Sequence, residues 1–230
     1  MSASPAQDQE RWPGLEIIAR GANRLCGRDP AHPGACLKFE LPSGQRTPVG
    51  LRQRLRRWLG RRFPALGDNR TELRAWRGLR ERLGAQLDGR IAASHGIVAT
   101  VWGPALHCDC VCLADGTPAP SLYRLLFEEP RYPAEPLCAA VDAFEAWLLA
   151  HDVPLFDLNA GNLVVVPAGA GQPGGGLRLV CVDAKSVVTD KEIVPLSRWS
   201  RRLRRRKIAR RAQRLRQRIL NALSGPPSLR

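Results

Sequence analysis

The sequence predicts an α+β fold built as two lobes, a small β-rich N-terminal lobe followed by a mainly helical C-terminal lobe. Short apolar runs bounded by turn residues, typical of strands, recur in the first half, whereas apolar stripes at helical spacing dominate the second. Between them, residues 114–118 (Ala-Asp-Gly-Thr-Pro) combine strong turn formers and predict a hinge. We therefore expect a flexible leader over 1–13, an N-terminal lobe over 14–116 and a C-terminal lobe over 117–230.

In the N-terminal lobe, two strands are expected over 15–19 and 35–41, joined by a long loop rich in Gly, Asn, Asp and Pro. Apolar residues between arginines predict a basic amphipathic helix over 51–59. A second helix is expected to begin near Asn69, where Asn69-x-x-Glu72 fits a capping box, and to bury Trp76, Leu79 and Leu83. Residues 96–113 are strand-like.

In the C-terminal lobe, residues 135–150 carry the apolar stripe of a helix packed on a core. The runs 163–166 and 177–182 are short and β-rich, and they predict a hairpin with Asp183 at its exit. The loop between them fits G-x-G-x-x-G, but it contains a proline and precedes a strand, so it is not a dinucleotide site. The last third predicts a long Arg-rich helix with an apolar inner face, which consists of Leu196, Trp199, Leu203, Ile208, Ala212, Leu215 and Ile219.

The net charge of +15 comes from two segments. Segment 198–218, from Arg198 to Arg218, holds twelve basic residues and no acid, and segment 46–62 holds seven, which leaves the rest at −4. The Arg-rich helix predicted over segment 198–218 could bind the phosphates of nucleic acid or an anionic membrane surface. Alternatively it packs on the body and is merely basic outside, with Arg stems covering apolar surface. Both interpretations remain open.

The cysteine content and the lengths of the apolar runs indicate the cellular compartment. The chain has seven cysteines, an odd number, and their spacing shows no regular disulfide pattern. Its apolar runs are shorter than the roughly 18 to 20 residues of a membrane span. No export signal is evident at its start. We expect a cytoplasmic protein whose basic face could lie at the periphery of the inner membrane.

The most informative motif is Asp157 five residues before Asn162, followed by a hairpin that delivers Asp183. In phosphoryl transfer of the kinase type, an Asp in the first position orients or deprotonates the acceptor hydroxyl. The Asn and the second Asp then hold Mg²⁺ on the nucleotide phosphates. The alternative is that all three are ordinary turn residues, which Asp and Asn favour for backbone reasons.

An upstream set of residues supports the same chemistry. A kinase fold requires a glycine-containing loop, a strand lysine for the phosphates and a helix glutamate that pairs with it, in that order. Gly21, Lys38 and Glu72 occur in that order. Alternatively, Glu72 only caps its helix and Lys38 is an exposed strand lysine. Together the positions favour a bilobal protein-kinase-like fold that binds ATP and Mg²⁺, with Asp157 and Glu72 in the catalytic machinery.

These motifs resemble those of the YrbL family, the bacterial PhoP regulatory network proteins of the protein-kinase-like superfamily. The resemblance rests on Gly21-Ala-Asn-Arg-Leu-Cys, Cys36-Leu-Lys38, the helix at Glu72, the stretch from Asp157 to Asn162, and Val182-Asp183. The most family-specific stretch is the ending Ile-Val-Pro-Leu-Ser-Arg-Trp-Ser over 193–200. The resemblance implies nucleotide binding by Lys38 and Gly21, catalysis at Asp157, metal binding at Asn162 and Asp183, and a role in the response to envelope stress.

Three departures from common protein kinases bear on the acceptor. The loop at Gly21 lacks a full G-x-G-x-x-G, Phe156 replaces the Arg of His-Arg-Asp, and Ala184-Lys185 follows the second Asp. The run Asp157-Leu-Asn159-Ala is similar to that of bacterial kinases that phosphorylate lipopolysaccharide core sugars. The acceptor is therefore a protein, a sugar or the lipopolysaccharide core, and a pseudokinase scaffold is the alternative to an enzyme.

Two further patterns have ordinary explanations. Cys108, Cys110 and Cys112 alternate beside His107, but zinc pairs usually follow C-x₂₋₄-C, so core cysteines are favoured over a soft-metal site. His151 stands near a helix end without an activated nucleophile, which favours a structural histidine over a triad.

Overall fold

The computed structural model describes residues 5–42, 45, 67–169, 176–188 and 200–223. The fold is α+β, as the sequence predicts. The basic helix predicted over 51–59, most of the loop between the predicted hairpin strands, Leu196, Trp199 and nearly all of the family-specific ending lie outside the described residues. In chain order the elements are α1 (Pro5–Arg11), β1 (Ile17–Arg20), β2 (Arg24–Arg28), β3 (Ala35–Glu40), α2 (Asp68–Leu83), β4 (Ser94–Thr100), β5 (Gly103–Asp109), α3 (Leu122–Phe127), α4 (Ala134–Ala150), β6 (Leu163–Pro167), β7 (Leu177–Cys181) and α5 (Arg201–Leu223).

The chain divides into two compact units. The first unit comprises the residues up to Gly78 together with Ala93–Val111, and the second comprises Leu79–Ala92 and the chain from Cys112 onward. The chain therefore passes between the units three times: inside α2, just before β4, and just before the turn that the sequence predicts as a hinge at 114–118.

The first unit is built on a five-stranded antiparallel sheet in the order β1-β2-β3-β5-β4. Strand β2 lies where the sequence predicts a long loop, so that prediction is wrong. Leu25 is the only aliphatic residue of β2 and is fully buried, which leaves almost no apolar alternation to read. A Cβ at Gly27 would lie 2.5 Å from the Leu15 side chain, so glycine is required for this close approach.

One face of this sheet forms the core of the first unit. Residues before β1 contribute to it: α1 occupies 5–11, and Trp12 is 2% exposed with its ring 6.0 Å from that of Phe39. Trp102 packs against the same cluster and donates a hydrogen bond to the Pro13 carbonyl. The structure thus places a helix and a buried tryptophan where the sequence predicts a flexible leader.

The second unit contains the predicted helix and hairpin. Helix α4 starts one residue before the predicted 135, and its predicted apolar stripe is buried. Strands β6 and β7 pair antiparallel, with Leu163 opposite Cys181. Both predictions are confirmed.

Helix α5 packs on the second unit, against α4 and α3. Its buried face consists of Ile208, Ala212, Leu215 and Ile219, whereas Leu203 is 41% exposed, contrary to the sequence prediction. Arg216 adds ion pairs of 2.7 Å to Asp142 and Glu145 on α4. The predicted packing of this helix on the body of the protein is therefore confirmed. No helix among the described residues has the length and apolar character of a membrane span.

Candidate functional site

In the first unit, Lys38 on β3 and Glu72 on α2 form an ion pair. The Lys38 Nζ atom lies 2.7 Å from Glu72 Oε1, and the two residues are 7% and 3% exposed. Lys38 is thus not the exposed strand lysine of the alternative interpretation. Because a buried charge is costly unless it is paired, this contact is what allows both groups to be inside the protein.

Glu72 has a second cationic partner, Arg24 on β2, whose guanidinium hydrogen bonds to Oε2. Burial disfavours the charged form of Lys38, but the neighbouring Cys108 and Glu72 outweigh it and raise the pKa of Lys38 above its ordinary value. Arg24 was not among the residues predicted for the site, although its place inside the motif Gly21-Ala-Asn-Arg was a signal. One carboxylate thus pairs with two cations from neighbouring strands.

The capping box predicted for Asn69 and Glu72 does not form. Instead, Glu40 at the end of β3 accepts a hydrogen bond from the Asn69 backbone N–H at 2.9 Å, near the start of α2. The Asn69 side chain donates to the Lys38 carbonyl at 2.7 Å. Carboxylates are favoured at helix N-termini because the free N–H groups and the helix dipole both attract them. Strand β3 thus holds α2 through its backbone as well as through Lys38.

The predicted glycine loop is a tight turn between β1 and β2, closed by a 2.8 Å hydrogen bond from the Gly21 N–H to the Arg24 carbonyl. It spans 21–23 only, since Arg24 begins β2. A Cβ at Gly21 would make one ordinary contact, 3.6 Å from the Arg24 oxygen. Space within the protein therefore does not explain why this residue is glycine.

In the second unit, Asp157, Asn162 and Asp183 lie around one end of the β6–β7 hairpin. The Asn162 side chain donates to Asp157 Oδ2 at 3.4 Å, and the Val182 backbone N–H donates to the Asn162 carbonyl at 2.9 Å. Asp183 follows directly. Carboxylate and amide oxygens are the donors that Mg²⁺ prefers, so these residues fit a magnesium site.

Two residues that sequence analysis did not assign to the site contact these carboxylates. The Lys185 ammonium lies 3.3 Å from Asp183 Oδ2, and its backbone N–H donates to Asp183 Oδ1. The Ser186 hydroxyl accepts a hydrogen bond from the Asp157 backbone N–H at 3.1 Å. The segment after Asp183 thus folds back onto Asp157, and Lys185 places a positive charge beside the Asp183 carboxylate.

Phe156, next to Asp157, is buried, and the Lys207 ammonium of α5 lies 4.0 Å from the centre of its ring. A cation over an aromatic face is attracted by the ring quadrupole. Helix α5 therefore contacts the residue that immediately precedes Asp157.

Of the three cysteines interpreted as core residues, Cys108 is buried in β5, whereas Cys110 and Cys112 follow that strand and are only half-buried. Cys108 is 1% exposed, lies opposite Cys36 of β3, and its Sγ atom is 3.3 Å from that of Cys36. His151 ends α4, with its ring 5.5 Å from that of Trp147, which agrees with a structural role.

The comparisons with known proteins add one finding to this geometry. No curated protein matches the chain. The model of the family described as PhoP regulatory network protein YrbL matches residues 14–220, from the segment before β1 to near the end of α5. Because this match covers nearly the whole chain, the protein belongs to the YrbL family of PhoP regulatory network proteins.

Proposed function

We propose that this protein is an ATP- and Mg²⁺-dependent phosphotransferase with a bilobal protein-kinase-like fold. The observation that carries the proposal is the buried Lys38–Glu72 ion pair. In protein kinases a lysine on the third strand contacts the nucleotide phosphates and pairs with a glutamate of the helix that follows. Here the lysine is on the third strand and the glutamate on the next described helix.

Each residue has a role in this proposal. Lys38 binds the ATP phosphates, Glu72 positions Lys38, and the turn at Gly21 lies against the phosphates. The acceptor hydroxyl forms a bond to the γ-phosphorus, the bond to the bridging oxygen breaks, ADP leaves, and the hydroxyl proton passes to Asp157. Asn162 and Asp183 would hold Mg²⁺, which would supply positive charge to the phosphates.

The family supplies the context for the acceptor. PhoP regulatory network proteins are named for a regulatory role, and we place the phosphotransferase within PhoP-related regulation in the bacterial cytoplasm. The acceptor is a protein, a sugar or the lipopolysaccharide core. Recognition by the second unit would decide among them, since acceptor choice depends on surfaces and loops rather than on phosphate-handling residues.

Nucleotide binding is tested by thermal unfolding with ATP, with and without Mg²⁺. A ligand at 100 times its Kd should stabilise the protein by about 2.7 kcal/mol. We expect an Mg²⁺-dependent shift that is lost in Asp183→Asn and kept in Asp157→Asn. Asp88→Asn, at a side chain that is 65% exposed, is the matched control and should behave as wild type. Absence of a shift with any nucleotide would contradict the proposal.

Chemistry is tested separately from binding. With an acceptor found by transfer of labelled phosphate to proteins, sugars and lipopolysaccharide core, Asp157→Asn should lower the rate about 10² to 10⁴-fold. An unchanged rate would remove Asp157 from catalysis. ATP binding without transfer to any of these acceptors would identify a pseudokinase scaffold in place of an enzyme.

A second candidate function is binding of an anionic membrane surface or nucleic acid through α5. The observation that favours it is a set of eight exposed arginines on a helix without acidic residues. The signature of this function is binding that weakens steeply as the salt concentration rises.

Replacing Arg210, Arg211 and Arg214 by Glu should abolish binding to anionic vesicles or to nucleic acid, whereas replacing the exposed Arg74 and Arg77 of α2 should not. Binding that persists at high salt would contradict this function. The eight exposed arginines of α5 are Arg201, Arg202, Arg205, Arg206, Arg210, Arg211, Arg214 and Arg218.

A further inference from the structure

Three of the four histidines of the chain lie side by side in the first unit, outside the residues proposed for phosphotransfer. The ring of His107 is 5.8 Å from that of His32 and 5.3 Å from that of His95, measured between ring centres. They come from three different parts of the chain. Only the folding of the sheet brings them together.

The position of each group follows from the strand pairing. Asp29 and His32 lie in the short connection between β2 and β3. This connection is closed by backbone hydrogen bonds from Asp29 to Ala35 at 3.1 Å and from Ala35 to His32 at 2.8 Å. His107 lies on β5 opposite Leu37 of β3. It is therefore near the start of β3, where the connection from β2 ends. A loop and a neighbouring strand thus hold the three side chains at fixed positions.

The carboxylate of Asp29 lies between two imidazoles. Its Oδ2 atom is 3.2 Å from His32 Nδ1 and 3.3 Å from His107 Nε2, and potential ligand atoms of all three residues lie within 4.8 Å of one another. In a tetrahedral zinc site with bonds of about 2.0 to 2.2 Å, neighbouring ligand atoms are about 3.3 to 3.6 Å apart. The two measured separations are close to this value.

Hydrogen bonding within the protein leaves His107 Nε2 unsatisfied. This atom is buried and forms no hydrogen bond with the described residues, although Asp29 Oδ2 is 3.3 Å away. The second Asp29 oxygen, Oδ1, accepts from the Ala31 backbone N–H at 2.9 Å, which holds the carboxylate in place. A buried imidazole nitrogen without a partner is costly, and a bound cation would satisfy it.

We propose that Asp29, His32 and His107 form a binding site for a divalent transition metal, with Zn²⁺ as its natural class of ion. Two imidazoles and one carboxylate suit zinc and similar ions, whereas Mg²⁺ and Ca²⁺ prefer all-oxygen sites and Cu⁺ prefers sulfur. Three protein ligands leave one position for water or another ligand. The His32 side chain is 70% exposed, so an ion can reach the site from solvent.

The experiment uses the full chain, stripped with a chelator and titrated with Zn²⁺ by calorimetry and with Co²⁺ by absorbance. We expect one equivalent of metal and cobalt d–d bands without a thiolate-to-cobalt band, since no cysteine belongs to the site. His32→Ala should lower the affinity about tenfold or more. Because the His32 ring is exposed, this variant should fold, and Asp29→Asn should weaken binding similarly while retaining the oxygen that accepts from Ala31.

His151→Ala, at the remaining histidine in the second unit, is the matched control and should keep wild-type affinity. Absence of Zn²⁺ and Co²⁺ binding would overturn the proposal. So would a thiolate-to-cobalt band, or binding that is the same in His32→Ala and in wild type, since either result would place the metal on the cysteines or elsewhere. All of these outcomes are independent of ATP binding.

Discussion

Lys38 and Arg24 share a single buried carboxylate, that of Glu72. Lys38 Nζ lies 2.7 Å from Oε1, while the Arg24 guanidinium contacts Oε2. The Lys38, Arg24 and Glu72 side chains are 9%, 10% and 4% exposed. The arrangement is asymmetric, because loss of either cation leaves Glu72 with a partner, whereas loss of Glu72 leaves two cations without their shared partner.

This asymmetry predicts the relative stability of two variants. Removing one partner of a buried pair typically costs about 3 to 5 kcal/mol of the free energy of unfolding. We expect Glu72→Gln to reach that range and Lys38→Met to cost clearly less, as measured by urea unfolding. Equal losses in the two variants would show that Arg24 does not share the carboxylate in solution.

The raised pKa of Lys38 predicts a loss of stability at high pH. Burial alone would lower this pKa, but the nearby Cys108 and Glu72 together have the larger effect and raise the pKa above the ordinary 10.5. As the pH rises, the unfolded chain therefore releases this proton first, so the contribution of Lys38 is complete below about pH 10 and shrinks above it. We expect the difference in unfolding free energy between wild type and Lys38→Met to stay constant up to about pH 10 and to fall as the pH rises further.

The control for this pH experiment is Lys38→Arg, whose side chain stays charged over the whole range. Its difference from Lys38→Met should not fall as the pH rises. If the wild-type difference is also constant, the folded protein does not hold the Lys38 proton more tightly than the unfolded chain does.

The contact between Lys185 and Asp183 predicts competition with Mg²⁺. Lys185→Gln should raise the apparent Mg²⁺ affinity in the presence of ATP by roughly 2- to 10-fold, because it removes a positive charge 3.3 Å from a proposed metal ligand. Mg²⁺ titration followed by thermal shift measures this. Arg131→Gln, which removes an exposed cation paired with Glu129, should leave the affinity unchanged. A weaker Mg²⁺ affinity in Lys185→Gln would indicate that Lys185 assists binding.

Burial of the cysteines predicts a pattern of reactivity. Hydrogen bonding to Cys108 and burial raise the pKa of the Cys36 thiol, so it stays protonated and unreactive. In the folded protein a thiol reagent should label Cys26, Cys110, Cys112 and Cys138 but spare Cys36, Cys108 and Cys181, which are buried. Peptide mass spectrometry identifies the labelled sites. Rapid labelling of Cys36 in the native state would contradict its burial between β3 and β5.

The docked face of α5 predicts which of its residues stabilise the protein. Ile208 is 1% exposed, and Ile208→Ala should cost about 2 to 5 kcal/mol. Arg210, on the exposed face, should change stability by no more than about 0.5 kcal/mol when replaced by Ala. Chemical denaturation distinguishes the two. A small loss for Ile208→Ala would mean that α5 is not packed on the second unit in solution.

Local sequence patterns predicted the elements with strong periodicity. The apolar stripe of α4 and the two β-rich runs of β6 and β7 were correct to within a residue or two, because each pattern repeats several times within one element. The leader and β2 were misread. Trp12 and Leu25 each bury a single large side chain against other strands, and one residue produces no periodicity.

The chemistry-bearing residues show the same division. Residue type and chain order were enough to select Lys38, Glu72, Asp157, Asn162 and Asp183 as candidates, since these are properties of the chain itself. Which atoms meet depends on strand pairing and helix docking between distant segments. The sharing of Glu72 by Arg24 and Lys38, which are 48 and 34 residues away, therefore appears only after folding. Asp29 and His32 lie close to His107 for the same reason. Strand β5 must pair with β3 before the connection between β2 and β3 can face His107.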